Sequence, residues 1–281
     1  MSKNQWYILV SYAIILLGNR WTTVKKTSEG RGSMKTLVWA HRGASSDAPE
    51  NTLEAFSLAL EQEADGIELD VHMTADGEIV VAHDETLERV SNGTGLIKDR
   101  TLSELKQLDF SKAFSNYSPA RIPTLAEVYD FIKPTGLTVN VEIKSGIVQY
   151  EGIEKKIIDL AEQFSISDRI IYSSFNHYSL MILREISPSA KIGLLYNEAL
   201  IDPHLYAQHV GANAIHPFFP TLMVPGVLKG CREAGVAIHP WTVNDINHMK
   251  NLIAAGVDAL ITDVPKAARQ VLMEVEANEA Q

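Results

Sequence analysis

The chain has 281 residues, of which 46% are hydrophobic and 21% are charged, a composition typical of a globular protein with a full core. Its net charge of −10 argues against a general affinity for nucleic acid or for an anionic membrane surface. Cys231 is the single cysteine, which excludes an intrachain disulfide and a cysteine-rich zinc site. An anionic substrate would need a local cluster of positive charge, and a metal ion would need oxygen or imidazole ligands.

The N-terminal segment differs from the rest of the chain. Residues 7–17 form an apolar run that is too short to cross a bilayer, which takes about 20 residues, but that could be the core of a secretory signal. Residues 29–34 (EGRGSM) have codons that can be almost entirely purine, as in a bacterial ribosome-binding site before a start codon at Met34. We therefore expect residues 1–33 to be a non-native or disordered extension and residues 34–281 to form one catalytic domain. The expected location is cytoplasmic, with membrane anchoring or export as the alternative.

From Lys35 onward, short β-rich runs alternate with amphipathic stretches, which is the pattern of βα units around a parallel sheet. The runs that predict strands are residues 36–41, 66–72, 137–144, 169–174, 191–196, 213–217, 236–241 and 258–262. The stretches that predict helices include residues 52–63, 151–164, 178–186, 224–234 and 244–255. Eight βα units in about 250 residues predict a TIM (β/α)8 barrel.

One connection breaks this rhythm, because about sixty residues separate the second predicted strand from the third. It contains a hairpin-like segment at residues 78–84 and a turn-rich stretch at residues 91–95. Long connections in compact domains are usually functional or disordered. We therefore predict an insertion over about residues 73–122 on the active-site face of the barrel.

Charged residues occupy the ends of the first three predicted strands, where the chemistry of barrel enzymes is located. They are His41 and Arg42, then Glu68, Asp70 and His72, and finally Glu142 and Lys144. The two-residue period of a strand places the charged side chains of each run on one face, toward the barrel mouth. Burying several carboxylates together is costly unless a cation or hydrogen bonds compensate them. The pattern therefore indicates a site for a hard divalent cation.

Six ordered motifs resemble the glycerophosphodiester phosphodiesterase family, from about Thr36 to Pro265. They are HRGAS (41–45), APENTLEAF (48–56), IELDV (67–71), AHD (82–84), VEIK (141–144) and WTVN (241–244). The resemblance implies a TIM barrel with a small insertion after the second strand. It also implies that the chain hydrolyses a small-molecule glycerophosphodiester to sn-glycerol 3-phosphate and an alcohol, using one divalent cation.

The resemblance also implies roles for individual residues. The metal ligands would be Glu68, Asp70 and Glu142, and the general acid/base pair would be His41 and His83. The substrate-binding residues would be Arg42 and Lys144 at the phosphate, Glu50 near the metal and the glycerol, and Trp241 as an apolar wall. Ligands that are all oxygen favour Mg²⁺, Ca²⁺ or Mn²⁺ over Zn²⁺ or Cu²⁺.

Simpler interpretations of the same residues stay open. Arg42 and Lys144 could only pair with the carboxylates in a salt network at the strand ends. Three further histidines near strand ends are expected to be structural or to support the site from outside it, and we keep them out of the catalytic set: His72, His216 and His239. The aromatic residues near Trp241 could form a wall for the leaving group or only plug the barrel mouth: Phe175, Phe218 and Phe219.

Other functions also stay open at this point. A lysophospholipase D-type enzyme or another phospholipase could use the same barrel. A lyase or isomerase with three carboxylates on Mg²⁺ is a more distant alternative, because it would usually need a base placed over a carbon acid. The non-enzymatic alternative is a barrel that binds phosphodiesters without turnover. We expect no nucleic-acid partner and no stable membrane association, and the sequence does not predict an oligomeric state.

Overall fold

Parallel strands dominate the computed structural model, which describes residues 35–279. Within that range the strands are β1 (Leu37–His41), β2 (Gly66–Met73), β3 (Ile79–Val81), β4 (Thr138–Ile143), β5 (Ile170–Ser174), β6 (Lys191–Tyr196), β7 (Ala214–Pro217), β8 (Ala237–Ile238) and β9 (Ala259–Thr262). The prediction that residues 1–33 are an extension lies outside the described residues.

Eight of these strands form one parallel sheet in the order β8-β7-β6-β5-β4-β2-β1-β9. Its two outer strands approach each other, since the backbone N–H of Asp258 donates to Ile238 O at 3.0 Å and that of Ile261 donates to Pro240 O at 3.0 Å. These bonds nearly close the sheet into a barrel, and the predicted (β/α)8 fold is confirmed. β3 pairs antiparallel with β2, so the predicted hairpin also forms.

Helices cover the outside of the barrel, as the connections between parallel strands require. They are α1 (Leu53–Glu61), α2 (Leu102–Leu105), α3 (Leu125–Ile132), α4 (Ile153–Phe164), α5 (His177–Ile186), α6 (Pro203–His209), α7 (Val227–Ala234), α8 (Ile246–Ala254) and α9 (Pro265–Glu279). None of these helices, within residues 35–279, has the length and apolar character that a bilayer crossing requires.

The helical stretches delimited from the sequence correspond to α1, α4, α5, α7 and α8, whereas no bounds were predicted for α2, α3, α6 and α9. α3 has a clear start signal, because the Thr124 hydroxyl accepts from the backbone N–H of Glu127 and the Glu127 carboxylate accepts from that of Thr124. The predicted start of α7 at Val224 is wrong. A 3₁₀ turn (Phe219–Met223) comes first, and the helix starts only after Gly226, whose φ of +92° belongs to the left-handed region.

Two separate clusters of apolar side chains stabilise the fold near the site. One fills the barrel interior and contains Trp39, Ile171, Ala214, Ala259 and Ile261. The other lies in the connection between β2 and β4 and contains Val80, Ala82, Leu87, Ile97, Leu105, Phe110 and Ile122. The second cluster buries both Ala82 and Leu87, and it therefore anchors the loop that carries His83.

Candidate active site

Three buried carboxylates meet at the carboxyl ends of β2 and β4. Asp70 and Glu142 are direct partners in the parallel register, and Glu68 lies two residues before Asp70 on the same face. One oxygen atom from each of the three side chains lies within 4.8 Å of the others. The Oδ1 atom of Asp70 is fully buried and accepts no hydrogen bond, although Lys144 Nζ lies 3.6 Å away.

The pKa shifts of the three carboxylates show that their negative charges are only partly compensated. Burial raises the pKa of Glu68 well above its usual value, and the negative charges of Asp70 and Glu142 raise it further. Burial likewise raises the pKa of Glu142 to about 7, against the opposing effect of Lys144. Burial alone would also raise the pKa of Asp70, but Lys144 and Arg42 hold it below its usual value. Three convergent oxygen ligands, one without a hydrogen-bond donor, fit a hard divalent cation.

Arg42 lies directly after β1 in a conformation that few residues adopt. Its φ is +57°, and its backbone N–H donates to both the carbonyl oxygen of Glu68 (2.9 Å) and Glu68 Oε2 (3.0 Å). Gly43 follows with a φ of +82°, and a Cβ atom there would lie 2.6 Å from the carbonyl carbon of Ala55. Glycine at position 43 is therefore required by the turn that places the Arg42 side chain over the carboxylates.

The two positively charged side chains that are candidates for phosphate binding are both paired with carboxylates. Arg42 Nε lies 3.3 Å from Asp70 Oδ2, and Arg42 Nη1 donates to Glu50 Oε1 at 3.0 Å. Lys144 Nζ donates to Glu142 Oε1 at 2.8 Å. The salt network considered from the sequence is therefore present, and it holds both cations at the edge of the acidic cluster.

His41 forms the first of two histidine–carboxylate pairs. Its Nδ1 atom lies 2.6 Å from Asp263 Oδ1, and its Nε2 atom lies 3.9 Å from Glu68 Oε2. Asp263 also accepts hydrogen bonds from Asn244 Nδ2 at 2.6 Å and from the Ser45 hydroxyl at 3.1 Å. Burial opposes ionisation of Asp263, but the hydrogen bond from His41 lowers its pKa to about 2. The ionised carboxylate fixes the Nδ1–H tautomer and points Nε2 toward the cluster.

His83 forms the second pair, in the loop after β3. Its Nδ1 atom lies 2.6 Å from Asp84 Oδ1. Burial lowers the pKa of His83, as do the positive charges of Arg42 and Lys144, so its imidazole favours the neutral form. The His83 carbonyl accepts from His72 Nε2 at 3.1 Å, and the Tyr150 hydroxyl donates to His72 Nδ1 at 2.9 Å. His72 therefore supports the His83 backbone from below.

Four residues that the sequence did not single out as site residues contact the candidate set: Asn51, Asp84, Arg89 and Asp263. Asn51 Nδ2 donates to Asp70 Oδ2 at 2.8 Å, and Arg89 contacts both Glu50 and Asp84. Asp84 is adjacent to His83 in the AHD motif and could have been inferred from it. Asp263 is 222 positions from His41, and only the parallel pairing of β9 with β1 brings the two together.

Aromatic side chains surround Trp241 at the barrel mouth. The ring centroid of Trp241 lies 5.5 Å from that of Phe175 and 5.7 Å from that of Phe218, and its Nε1–H donates to the His216 carbonyl at 2.7 Å. Deeper in the barrel, His239 Nδ1 lies 2.9 Å from His216 Nε2. Burial lowers the pKa of His239 to about 3, so this pair stays neutral. Both histidines lie beside Trp39 in the barrel interior.

Comparison with known proteins identifies the family. Residues 41–267 match the glycerophosphoryl diester phosphodiesterase family. A glycerophosphodiester phosphodiesterase of Caldanaerobacter subterraneus subsp. tengcongensis is 49% identical over 234 residues, covering 83% of this chain and 96% of the relative. One from Bacillus altitudinis is 38% identical over 247 residues, covering 86% and 100%. An Oleispira antarctica phosphodiesterase, solved in complex with the product sn-glycerol-3-phosphate, has a TM-score of 0.78 at 30% identity, covering 86% of this chain and 98% of that one. The chain belongs to the glycerophosphoryl diester phosphodiesterase family, as its motifs predicted.

Proposed function

We propose that this protein hydrolyses glycerophosphodiesters to sn-glycerol 3-phosphate and an alcohol with the help of one divalent cation. One observation carries the proposal. Three buried carboxylates, two positively charged side chains and two histidine–carboxylate pairs lie together at one end of the barrel. The names of the relatives support it, as does the product in the Oleispira antarctica structure.

Glu68, Asp70 and Glu142 would hold the cation, and their oxygen-only donor set suits Mg²⁺, Ca²⁺ or Mn²⁺. When bound, such an ion supplies Lewis acidity that neutralises the charge of a phosphodiester and lowers the pKa of a nearby hydroxyl group. The three carboxylates lie at the buried end of the site, which leaves its outer side for the substrate.

Arg42 and Lys144 bind and stabilise the phosphate charge in this proposal. Each is already held in place by a carboxylate, Glu50 for Arg42 and Glu142 for Lys144, and so each loses little side-chain freedom when the phosphate binds. Glu50 thus aligns Arg42 as well as lying near the glycerol. Trp241 provides an apolar wall at the mouth.

His41 and His83 transfer protons. Each has its Nδ1 atom tied to a carboxylate, which leaves Nε2 free to act on the substrate. One histidine removes the proton from the attacking hydroxyl. Attack by water gives glycerol 3-phosphate directly, whereas attack by the glycerol 2-hydroxyl gives a cyclic phosphate that a water molecule then opens. The other donates a proton to the leaving alkoxide. General acid or base catalysis of this kind contributes about 10²–10⁴-fold to a rate.

A lysophospholipase D-type activity is the second candidate, and exposed apolar side chains that follow β5 and β6 favour it. Phe175 and Tyr178 are 42% and 74% exposed, and Ile201 is 86% exposed. These residues follow the carboxyl ends of their strands, the end of the barrel at which the carboxylates meet, and exposed apolar side chains there are suited to contact an acyl chain. Release of choline from lysophosphatidylcholine, measured separately from the glycerol 3-phosphate assay below, distinguishes the two candidates, because only this second function releases choline from that substrate.

A coupled assay for glycerol 3-phosphate tests the main proposal. Glycerophosphocholine and glycerophosphoethanolamine should be hydrolysed, and a chelator should abolish turnover until Mg²⁺, Ca²⁺ or Mn²⁺ is restored. Glu68→Gln, Asp70→Asn and Glu142→Gln should each weaken cation binding measured by calorimetry, since each removes one ligand charge. Glu61→Gln, an exposed position on α1, is the control. Full activity in exhaustively chelated protein would contradict the metal requirement.

A further inference from the structure

Arg89 lies in the connection after β3 and bridges two carboxylates from different loops. Its Nη1 and Nη2 atoms donate to Glu50 Oε2 and Oε1 at 2.5 and 2.8 Å. Its Nε and Nη2 atoms donate to Asp84 Oδ2 and Oδ1 at 2.5 and 3.2 Å. One planar guanidinium group therefore makes two-point contacts with both carboxylates, a geometry that a lysine ammonium cannot reproduce.

Each of the two carboxylates also contacts a residue of the proposed machinery. Asp84 accepts the hydrogen bond from His83 Nδ1, and Glu50 accepts the one from Arg42 Nη1. Arg89 thus contacts the imidazole of His83 indirectly, through Asp84, and the guanidinium of Arg42 indirectly, through Glu50. Glu50 belongs to the loop between β1 and α1, whereas Asp84 belongs to the loop after β3. The bridge joins the barrel rim to the connection that carries His83.

We propose that Arg89 is a positioning residue that fixes Asp84 against His83 and Glu50 against Arg42, so that both groups face the substrate in one geometry. This inference rests on the proposed function. Arg89 is not assigned as a phosphate ligand, because two hydrogen-bonding edges of its guanidinium group already contact carboxylates that neutralise its charge. Its effect passes through the side chains it holds.

A merely structural ion pair would behave differently. The Arg89 side chain is 45% exposed, and exposed ion pairs usually contribute about 0–1 kcal/mol to stability. Misplacing a catalytic group by about 1 Å can lower a rate about 100-fold. A positioning role therefore predicts a large effect on turnover and a small one on thermal stability.

The test compares Arg89→Gln and Arg89→Lys with Arg100→Gln. Arg100 is a matched control, because its side chain is 44% exposed in the same connection and pairs with Glu104 at 4.0 Å, away from the site. Both Arg89 variants should lower kcat at least about tenfold with KM changed less than about threefold, and the melting temperature should stay near that of the wild type. Arg89→Lys should not restore kcat. Wild-type kcat in either Arg89 variant would overturn the proposal.

A double-variant cycle shows whether the effect passes through His83. Combining Arg89→Gln with His83→Ala should lower kcat clearly less than the product of the two single losses in kcat. Once His83 is absent, the effect of Arg89 on it through Asp84 no longer contributes. Losses that multiply within about twofold would overturn the link to His83.

A readout that does not depend on turnover separates this inference from the proposed function. The His83 Nδ1 proton, assigned in the NMR spectrum by its loss in His83→Ala, reports the hydrogen bond to Asp84. Its resonance should shift or vanish in Arg89→Gln and stay unchanged in Arg100→Gln. If the wild type is inactive but the resonance still shifts in Arg89→Gln, the proposed function alone is refuted. If the wild type is active but Arg89→Gln changes neither the resonance nor kcat, the positioning role alone is refuted.

Discussion

The two histidine–carboxylate pairs make the same contact by different means. In both, Nδ1 lies 2.6 Å from a carboxylate oxygen. Asp263 follows β9 and is held by neutral donors, the Asn244 amide and the Ser45 hydroxyl. Asp84 is next to its histidine in the chain and is held by the charged Arg89.

The difference shows how a barrel rim and an inserted connection can each prepare a histidine for proton transfer. On the rim, two distant strand ends are held together by the sheet, so neutral hydrogen bonds are enough to fix the carboxylate. In the connection, no strand end holds Asp84, and a two-point guanidinium contact does this instead. A cation beside Asp84 also weakens the support that this carboxylate gives to a positive His83.

The largest expected effect comes from removing either imidazole. His41→Ala and His83→Ala should each lower kcat at least about 100-fold, because proton transfer is lost while the acidic cluster remains. Cation affinity, measured by calorimetry, should change little in both variants. Loss of cation binding in His83→Ala would show instead that the second histidine supports the acidic cluster.

A smaller effect is expected when only the supporting carboxylate is changed. Asp263→Asn and Asp84→Asn should each lower kcat about 10- to 100-fold, because an amide no longer selects the Nδ1–H tautomer as an ionised carboxylate does. Steady-state kinetics on glycerophosphocholine would measure both losses. A kcat within twofold of wild type in either variant would show that this pair does not orient its histidine for catalysis.

The two pairs should also contribute to acid stability. Hydrogen bonds lower the pKa of both Asp263 and Asp84 to about 2, below the value of about 3.9 expected in the unfolded chain. Each carboxylate therefore contributes stability above about pH 4 that is lost as the pH falls toward 2. Denaturant unfolding should show a shallower loss of stability in this window for Asp84→Asn and Asp263→Asn. An unchanged pH dependence in both variants would contradict these shifts.

The smallest effect is expected at Ser45. Its hydroxyl is one of two neutral donors to Asp263, and Asn244 keeps its own bond to the other carboxylate oxygen. Ser45→Ala should therefore lower kcat only a few-fold, well below the loss in Arg89→Gln, which removes the charged support of Asp84. Equal losses in the two variants would erase the distinction between neutral and charged support.

Much of the fold follows from local pattern. The β-rich runs and the two-residue alternation in β2 and β4 were enough to predict the barrel and to place Glu68, Asp70 and Glu142 on one face. The helix α3 was missed because it lies in the short stretch between the predicted insertion, which ends at about residue 122, and the strand predicted from residue 137, although its capping box is readable. The assigned roles of the site residues remain predictions.

Other parts of the site depend on contacts that no local pattern encodes. Asp263 meets His41 only because β9, the last described strand, pairs in parallel with β1, the first. Arg89 meets Glu50 across 39 positions, and both lie in irregular loops with no periodicity to set their direction. Such contacts are determined by tertiary packing, so their residues could not be singled out from the sequence.

The most direct test of the central claim, that the two histidines divide the proton transfers, uses the leaving group. A glycerophosphodiester of p-nitrophenol has a leaving group of low pKa that needs little protonation. Measured against glycerophosphocholine, it should restore kcat in the variant that lacks the general acid, either His41→Ala or His83→Ala, and leave the other defective. Equal restoration of both variants, or of neither, would contradict the division.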